Sequence, residues 1–145
     1  MSHLIFVLLL FALSPFAYSI KSNSDWYYID GHQVSSKTHL VNLGSKSFYL
    51  ASHTYLPTKK PKATFITVHG YLVNCHYLKP IHEYLVENEY KVVCIEMPGL
   101  GNSTGERAVV ESFEIYQEYI NLLPTIEPNP DYLLVHSTGA VGVLE

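Results

Sequence analysis

The segment YLLVHSTG, residues 132–139, passes without a break from four apolar residues into a short polar turn. A continuous apolar run of this length is typical of a parallel strand that is buried on both faces. The turn has Ser137 and Gly139, which is the layout of a nucleophile elbow, where a sharp turn lifts a serine hydroxyl above the sheet. Serine and glycine after a strand are more often an ordinary turn, so the interpretation depends on the rest of the chain.

Two earlier apolar runs predict two more buried strands. Residues 63–68 are rich in β-branched and aromatic side chains and end at His69. Residues 91–95 have the same character and end shortly before Pro98. Turn-forming residues follow both runs, so each strand is expected to stop there.

The first interval between these strands has the apolar spacing of a helix. Leu78, Ile81 and Leu85 recur at that spacing and predict a helix over about residues 77–87. Pro80 fits only if it lies in the first turn, where a backbone N–H is not needed.

The second interval also predicts a helix. Its packed face is expected to carry Phe113, Tyr116, Ile120 and Leu123, and Pro124 is expected to end it.

The residues before the first buried strand predict a β-hairpin. Residues 37–42 and 48–55 are β-like, and the intervening residues 43–45 contain a turn signal. Strand, helix, strand, helix, strand then implies right-handed crossovers and a parallel sheet. The predicted fold class is α/β, a mostly parallel sheet with an antiparallel hairpin at its edge.

Composition fits one globular domain and argues against nucleic acid as a partner. The chain has 145 residues, of which 48% are hydrophobic and 15% charged. Its formal net charge is −4, so it lacks the basic field that phosphate backbones require.

The first 19 residues predict a signal peptide. Residues 4–13 are an unbroken apolar run, and small residues at positions 17 and 19 suit a cleavage site. A retained membrane anchor is the alternative, because no lysine or arginine precedes the run. Residues 20–145 would then be part of a single secreted or periplasmic domain, and a membrane-anchored location with association at the membrane surface stays open.

The two cysteines are predicted to be unpaired. Cys75 and Cys94 could form a disulfide outside the cytoplasm. Cys94 lies inside an apolar strand pattern, however, which favours a buried free thiol.

Three turns are expected to meet at one edge of the sheet, because ligands bind at the carboxyl ends of parallel strands. They begin at His69, at Glu96 and at His136. Their sequences, HGY, PGLGNS and HSTG, in this order and spacing, resemble the N-terminal signatures of the α/β-hydrolases. The resemblance covers residues 31–145 and is strongest to the monoglyceride lipase, lysophospholipase and serine aminopeptidase branch.

The resemblance implies a role for each residue of two of these turns. Ser137 would attack the substrate carbonyl and form an acyl-enzyme. The backbone N–H groups of Tyr71 and Thr138 would form the oxyanion hole. The remaining members would shape the site without reacting: His69, Gly70, His136 and Gly139. The implied substrate is a small-molecule or lipid-like carboxylic ester, with no cofactor, no metal and no defined protein partner.

The sequence departs from the family pattern in two ways. Val135 stands where the pattern has glycine, and its branched side chain is expected to crowd the turn. The family's acid and histidine follow the serine, yet none of the eight residues after Ser137 is a histidine, and Glu145 lies too near along the chain to act as the acid. We therefore expect little turnover from these 145 residues. We expect them to be a fragment, a frameshifted product or an incomplete gene model. Residues 132–135 would then form an exposed edge of the sheet.

Other function classes have weaker support. The glycines of the PGLGNS turn resemble part of a dinucleotide fingerprint, but position 104 is threonine and no helix opens at the turn. The histidines at positions 69, 76 and 82 belong to different predicted elements and lack metal-ligand spacing. A catalytically inactive or degenerate hydrolase and a serine aminopeptidase of the same fold remain as alternatives.

Overall fold

The computed structural model describes residue 29, residues 31–109 and residues 112–143. Within them lie five strands, two α-helices and two short 3-10 segments, and the strands alternate with the helices from β3 onward. Their bounds are β1 Gln33–Leu43, β2 Lys46–Leu56, β3 Thr64–Val68, a 3-10 segment Cys75–Leu78, α1 Lys79–Glu87, β4 Lys91–Ile95, α2 Glu114–Ile126, β5 Tyr132–Val135 and a second 3-10 segment Ser137–Val143.

The strands form one mixed sheet in the order β1-β2-β4-β3-β5. Strand β3 runs parallel to both β4 and β5, and Val68 lies opposite Val135. Strand β2 pairs antiparallel with β1 and β4, so the predicted hairpin occupies one edge of the sheet. Strand β5 occupies the other edge among the described strands, as expected for residues 132–135.

Two apolar clusters cover the two faces of the sheet, because successive side chains of a strand point to opposite faces. Val93 belongs to the larger cluster, which includes Tyr119 and Leu123 of α2. Its neighbour Val92 belongs to the smaller cluster, which includes Leu85 of α1. The sheet is therefore enclosed between the two helices, as its continuous apolar strands predict.

The helix that follows β3 begins two residues later than predicted. The 3-10 segment precedes it, and the Asn74 side chain accepts a hydrogen bond of 3.1 Å from the His76 N–H at its start. Pro80 lies at the beginning of α1, in the position where proline is tolerated.

Two expectations for the second helix are wrong. Phe113 precedes α2 and is 65% exposed, so it does not belong to the packed face. Pro124 lies inside α2, because the Glu127 N–H donates to the Leu123 carbonyl and closes one more turn around it. The rest of the predicted face is confirmed, because Tyr116 and Leu123 are buried and Ile120 packs against the larger cluster. Tyr119 is a further buried residue of α2.

The prediction of free thiols is also wrong, because Cys75 and Cys94 form a disulfide with their Cα atoms 5.9 Å apart. Cys94 points to the α1 face of β4, and Cys75 opens the 3-10 segment that lies over that face. The apolar pattern around Cys94 correctly indicated burial, but it carried no information about what packs above the strand.

The predicted signal peptide or anchor lies outside the described residues. Among the residues described, no helix has the length and apolar character needed to cross a membrane.

Candidate active site

The ends of β3 and β5 lie side by side at the carboxyl edge of the sheet. Val68 and Val135 are register partners, and the His136 N–H donates to the Val68 carbonyl at 3.0 Å. This bond extends the parallel ladder one residue past β5. The two turns that the sequence singled out therefore begin next to each other, as the parallel arrangement requires.

The turn after β5 has a left-handed backbone at its serine. Ser137 has φ +52° and its side chain is exposed. The Gly139 N–H donates to the His136 carbonyl at 3.0 Å, which closes the turn around the serine. A left-handed conformation is costly for a residue other than glycine, and such strain is typical of positions that present a reactive side chain.

Two glycines allow this turn to approach the end of β3. A Cβ atom on Gly70 would lie 3.0 Å from the Ser137 Cβ, and one on Gly139 would lie 2.8 Å from the His69 carbonyl oxygen. Contacts this short have no room for a methyl group. The absence of side chains at both positions brings Ser137 against the loop that follows β3.

Val135 does not prevent the turn from forming. The residue belongs to β5, is 2% exposed and packs in the larger apolar cluster. The branched side chain therefore lies in the sheet layer, and the left-handed residue of the turn comes two positions later, at Ser137.

His69 ties the end of β3 to the end of β4. The Met97 N–H donates to His69 Nε2 at 3.2 Å, and Nδ1 lies 2.8 Å from the Gly70 carbonyl oxygen. Because Nε2 accepts a hydrogen bond, the ring proton is on Nδ1 and is donated to that carbonyl. Burial lowers the pKa of His69, so the ring stays neutral and serves as a fixed connector between strands.

The loop after His69 crosses the edge of the sheet with its tyrosine outward. Tyr71 is 42% exposed, and its hydroxyl donates to the Ala108 carbonyl. Leu72 adopts φ +61°, which turns the chain toward the 3-10 segment. The Tyr71 hydroxyl bond holds this loop against the segment that precedes α2.

The two neighbours of Ser137 are half-buried. Thr138 belongs to the 3-10 segment that leaves the turn. The ring of His136 lies 5.2 Å from that of Tyr77, and burial lowers the pKa of His136. His136 Nδ1 has no hydrogen-bond partner among the described residues.

The turn after β4 is held by a buried carboxylate that sequence reasoning passed over. Glu96 is fully buried, and its carboxylate accepts from the Cys75 N–H at 3.3 Å and from the Asn102 N–H. Ser103 Oγ donates to the Glu96 carbonyl at 2.7 Å and accepts from the Ala51 N–H at 2.9 Å. An acidic residue directly after a buried strand was the available signal, because a carboxylate there must find donors.

An apolar cavity of about 270 Å³ adjoins the loop after β3. Tyr71 forms part of its wall, and its other walls include Phe48, Leu100, Ile115 and Tyr116. The cavity therefore opens beside the loop whose amide the sequence singled out.

The carboxyl edge thus brings together Ser137, Gly70 and the loop that carries Tyr71. Nothing in the described geometry joins Ser137 to a histidine and a carboxylate in the manner of a triad. The arrangement places an exposed serine with a left-handed backbone beside the loop that follows β3.

Comparison with known proteins identifies sequence relatives for most of the chain. The family model described as "Serine aminopeptidase, S33" matches residues 59–145. Monoglyceride lipase of Rattus norvegicus is 30% identical over 112 residues, which are 73% of this chain and 36% of that protein. Monoglyceride lipase of Mus musculus matches to the same extent. The chain therefore spans 36% of the length of these curated relatives.

Solved structures share the fold. A protein of Pseudomonas aeruginosa PAO1 described as "a probable hydrolytic enzyme" matches with a TM-score of 0.60 and 17% identity, covering 73% of this chain and 34% of that one. A membrane phospholipase A, described as a bacterial virulence factor, matches with a TM-score of 0.55 and 21% identity, covering 72% and 33%. Both comparisons establish a common architecture.

Proposed function

Because this chain belongs to the serine aminopeptidase S33 family of α/β-hydrolases, we propose that it is a serine hydrolase for carboxylic esters with Ser137 as its nucleophile. The observation that carries the proposal is the left-handed, exposed Ser137 packed against Gly70 at the carboxyl edge of a parallel sheet. A serine in that setting is held where a substrate carbonyl can reach it.

The proposed chemistry is acyl transfer in two steps. Ser137 Oγ attacks the ester carbonyl, the alcohol leaves, and water then hydrolyses the acyl-enzyme. The backbone N–H groups of Tyr71 and Thr138 are proposed to stabilise the oxyanion. Each such donor contributes about 3 kcal/mol in serine hydrolases, because it is fixed where negative charge develops.

A serine hydroxyl also needs a general base. In this family the acid and the histidine follow the nucleophile in the chain, and no histidine follows Ser137 in the 145 residues. His69 is not a candidate base, since its Nε2 accepts from the Met97 N–H and its Nδ1 is bonded to the Gly70 carbonyl. We therefore assign to these residues the nucleophile and the oxyanion loop, without the acid and base of the triad.

Lipid-like esters are the proposed substrate class. Two of the relatives are named for lipid hydrolysis, a monoglyceride lipase and a membrane phospholipase A. The cavity beside Tyr71 has apolar walls and a volume of about 270 Å³. This is just below the range of roughly 300–1,000 Å³ that is typical of drug-sized ligands, so the cavity suits a short acyl chain.

We also propose that the protein is located outside the cytoplasm. The apolar leader of residues 1–19 suits secretion or anchoring, and the disulfide between Cys75 and Cys94 suits an oxidising compartment. Lipid esters at a membrane surface would be within reach of such an enzyme.

The test is labelling with a fluorophosphonate probe of the protein expressed from its complete coding sequence. We expect the label on the peptide that contains Ser137 and its loss in the Ser137→Ala variant. Ser45→Ala is the matched control, because Ser45 is an exposed serine in the β1–β2 turn. A protein that folds but takes up no label would be a degenerate hydrolase, and labelling that survives Ser137→Ala would refute the assignment.

A peptidase is the second candidate, because the matched family is described as a serine aminopeptidase. Parallel assays with a short-chain nitrophenyl ester and an aminoacyl nitroanilide distinguish the two. Faster cleavage of the ester supports the proposal, and cleavage of the anilide alone would reassign the protein as an aminopeptidase.

A further inference from the structure

A compact group of ligand-type side chains lies on the α1 face of the sheet, apart from Ser137. A ring nitrogen of His53, Sγ of Cys75 and a carboxylate oxygen of Glu96 all lie within 4.8 Å of one another. Each of these residues is at most 1% exposed. None of the three side chains reacts in the hydrolysis proposed above.

Sheet register explains why the group forms. His53 of β2 lies opposite Cys94 of β4, so their side chains share one face. Glu96 follows Cys94 by two residues and points the same way. Cys75, which begins the 3-10 segment, covers that face and is bonded to Cys94.

The ligand atoms are already oriented by other groups. His53 Nδ1 lies 2.8 Å from Ser36 Oγ, and this bond directs Nε2 toward Glu96 Oε2 at 3.5 Å. The Glu96 carboxylate is oriented by the Cys75 and Asn102 N–H groups. A histidine that binds a metal through one ring nitrogen commonly has its other ring nitrogen hydrogen-bonded to a polar group, as His53 Nδ1 is to Ser36.

The disulfide keeps the third ligand from binding a metal, because the thiolate is the form of cysteine that coordinates. We propose that reduction of Cys75–Cys94 converts this group into a Zn²⁺ site with Cys75 Sγ, His53 Nε2 and a Glu96 carboxylate oxygen as ligands. A dithiol reductant supplies two electrons and two protons and becomes a cyclic disulfide. The Cys75 thiol then loses its proton as Zn²⁺ binds, and water takes the fourth position.

Zinc is the metal that suits these ligands. Sulfur, imidazole nitrogen and carboxylate oxygen are its usual donors in tetrahedral sites. Zinc–ligand bonds of about 2.0–2.3 Å place tetrahedral ligand atoms roughly 3.3–3.8 Å apart, so a contraction of about 1 Å completes the site. One thiolate and one carboxylate also balance the charge of Zn²⁺, which a buried cation requires.

The decisive experiment compares two variants that both lack the disulfide. Cys94→Ser leaves Cys75 as a free thiol, whereas Cys75→Ser removes the ligand. With Zn²⁺ alone as the probe, equilibrium dialysis of Cys94→Ser is expected to give one bound ion per chain without any reductant. Cys75→Ser and the oxidised wild-type chain are expected to bind none, and phosphine-reduced wild type is expected to bind one.

Histidine variants in the Cys94→Ser background test the second ligand. His53→Gln should abolish stoichiometric binding, while His39→Gln should retain it. His39 is a matched control, since it bonds Ser52 across the same hairpin at 2.8 Å but lies outside the group. Ser36→Ala should weaken binding about 10- to 100-fold, because it releases the His53 ring.

Folding is followed in every sample by near-ultraviolet circular dichroism. Zinc that binds and also restores native signal to an unfolded reduced chain supports the site, because coordination then drives folding. Equal binding by Cys75→Ser and Cys94→Ser, binding unaffected by His53→Gln, or a folded Cys94→Ser chain that takes up no zinc would overturn it. The labelling of Ser137 is measured on the oxidised protein without added zinc, so the two proposals are tested separately.

Discussion

The turns after β4 and β5 lie at the same edge of the sheet, but the polar residue of one is buried and that of the other is exposed. After β4, Glu96 is fully buried and its carboxylate accepts backbone hydrogen bonds from two loops. After β5, Ser137 is exposed and its backbone is left-handed. A buried carboxylate requires donors on several sides, whereas a nucleophile requires access to its substrate.

The turn after β4 stabilises the loop that lies beside Ser137. Glu96 joins the start of the 3-10 segment at Cys75 to the loop at Asn102, and that 3-10 segment ends the loop that carries Tyr71. The proposed oxyanion loop is thereby anchored at its far end by the Glu96 carboxylate. Ser137 depends instead on close approach, because Gly70 and Gly139 let its turn contact β3.

The largest effect on the free energy of unfolding is expected from removing the buried carboxylate of Glu96. Glu96→Ala should lower the free energy of unfolding by about 3–5 kcal/mol, because it leaves buried donors and His53 without their partner. Urea unfolding measures the change. Glu83→Ala is the control, since Glu83 forms only a half-exposed pair with Lys79, and its loss should cost no more than about 1 kcal/mol. Equal losses in the two variants would contradict the structural role of Glu96.

A smaller effect is expected from crowding the turn after β5. In Gly139→Ala the new methyl group would lie 2.8 Å from the His69 carbonyl oxygen, and overpacking of this kind costs about 1–3 kcal/mol. The same variant should also reduce fluorophosphonate labelling, because Ser137 is displaced from the loop after β3. Gly44→Asn, at an open left-handed position of the hairpin turn, should change stability by less than about 0.5 kcal/mol. A Gly139→Ala protein as stable as Gly44→Asn would show that the close approach is unimportant.

A pH-dependent loss of stability is expected from His82, which is buried in α1. Burial lowers the pKa of His82 to about 3, and the nearby His53 and His69 add to the shift. Its Nε2 lies 2.9 Å from Thr67 Oγ1 in the fully buried interior. The unfolded chain binds this proton below a pH of about 6.5 and the folded chain does not. Stability should therefore fall with decreasing pH, by about 1.4 kcal/mol per pH unit between about 6.5 and 3.

Urea unfolding of wild type and His82→Gln between pH 7 and pH 4 measures that contribution. The variant cannot take up the proton, so its stability should decline less steeply with acid. Identical slopes would mean that His82 is protonated in the folded chain, against the effect of its burial.

The smallest effect on stability is expected at Ser137, the proposed nucleophile. Ser137→Ala keeps the backbone and removes an exposed hydroxyl, so the free energy of unfolding should change by less than about 0.5 kcal/mol. Labelling by the fluorophosphonate probe should be lost completely. A large loss of stability would mean that Ser137 has a structural role and would remove the contrast with Glu96.

Much of the parallel half of the sheet follows from sequence patterns. The predicted strands over residues 91–95 and 132–135 agree with β4 and β5 residue for residue. Each is a short apolar run between residues that stop a strand, so its limits are local. The order of the three turns, and hence the shared edge where Ser137 and Gly70 meet, also follows once the crossovers are right-handed.

Other features depended on neighbours distant in the chain. The hairpin strands are longer than predicted, because the pairing between β1 and β2 continues without a break from Gln33 and Leu56 to Leu43 and Lys46. Phe113 has the spacing of a packed residue but precedes the first residue of α2, and it is 65% exposed. Helical spacing alone does not report where a helix begins against its neighbours.

The sequence by itself determined the α/β class, the buried parallel strands and the edge at which Ser137 would be found, because apolar period and turn residues act over a few positions. Only the tertiary structure decided that Cys75 meets Cys94 and that Glu96 joins two loops. It also decided that His53 lies close to Cys75 and Glu96. Those contacts arise from the register between β2 and β4 and from the 3-10 segment packed above them. Register and packing bring together residues that are far apart in the chain, and a local sequence pattern does not specify which of these residues meet.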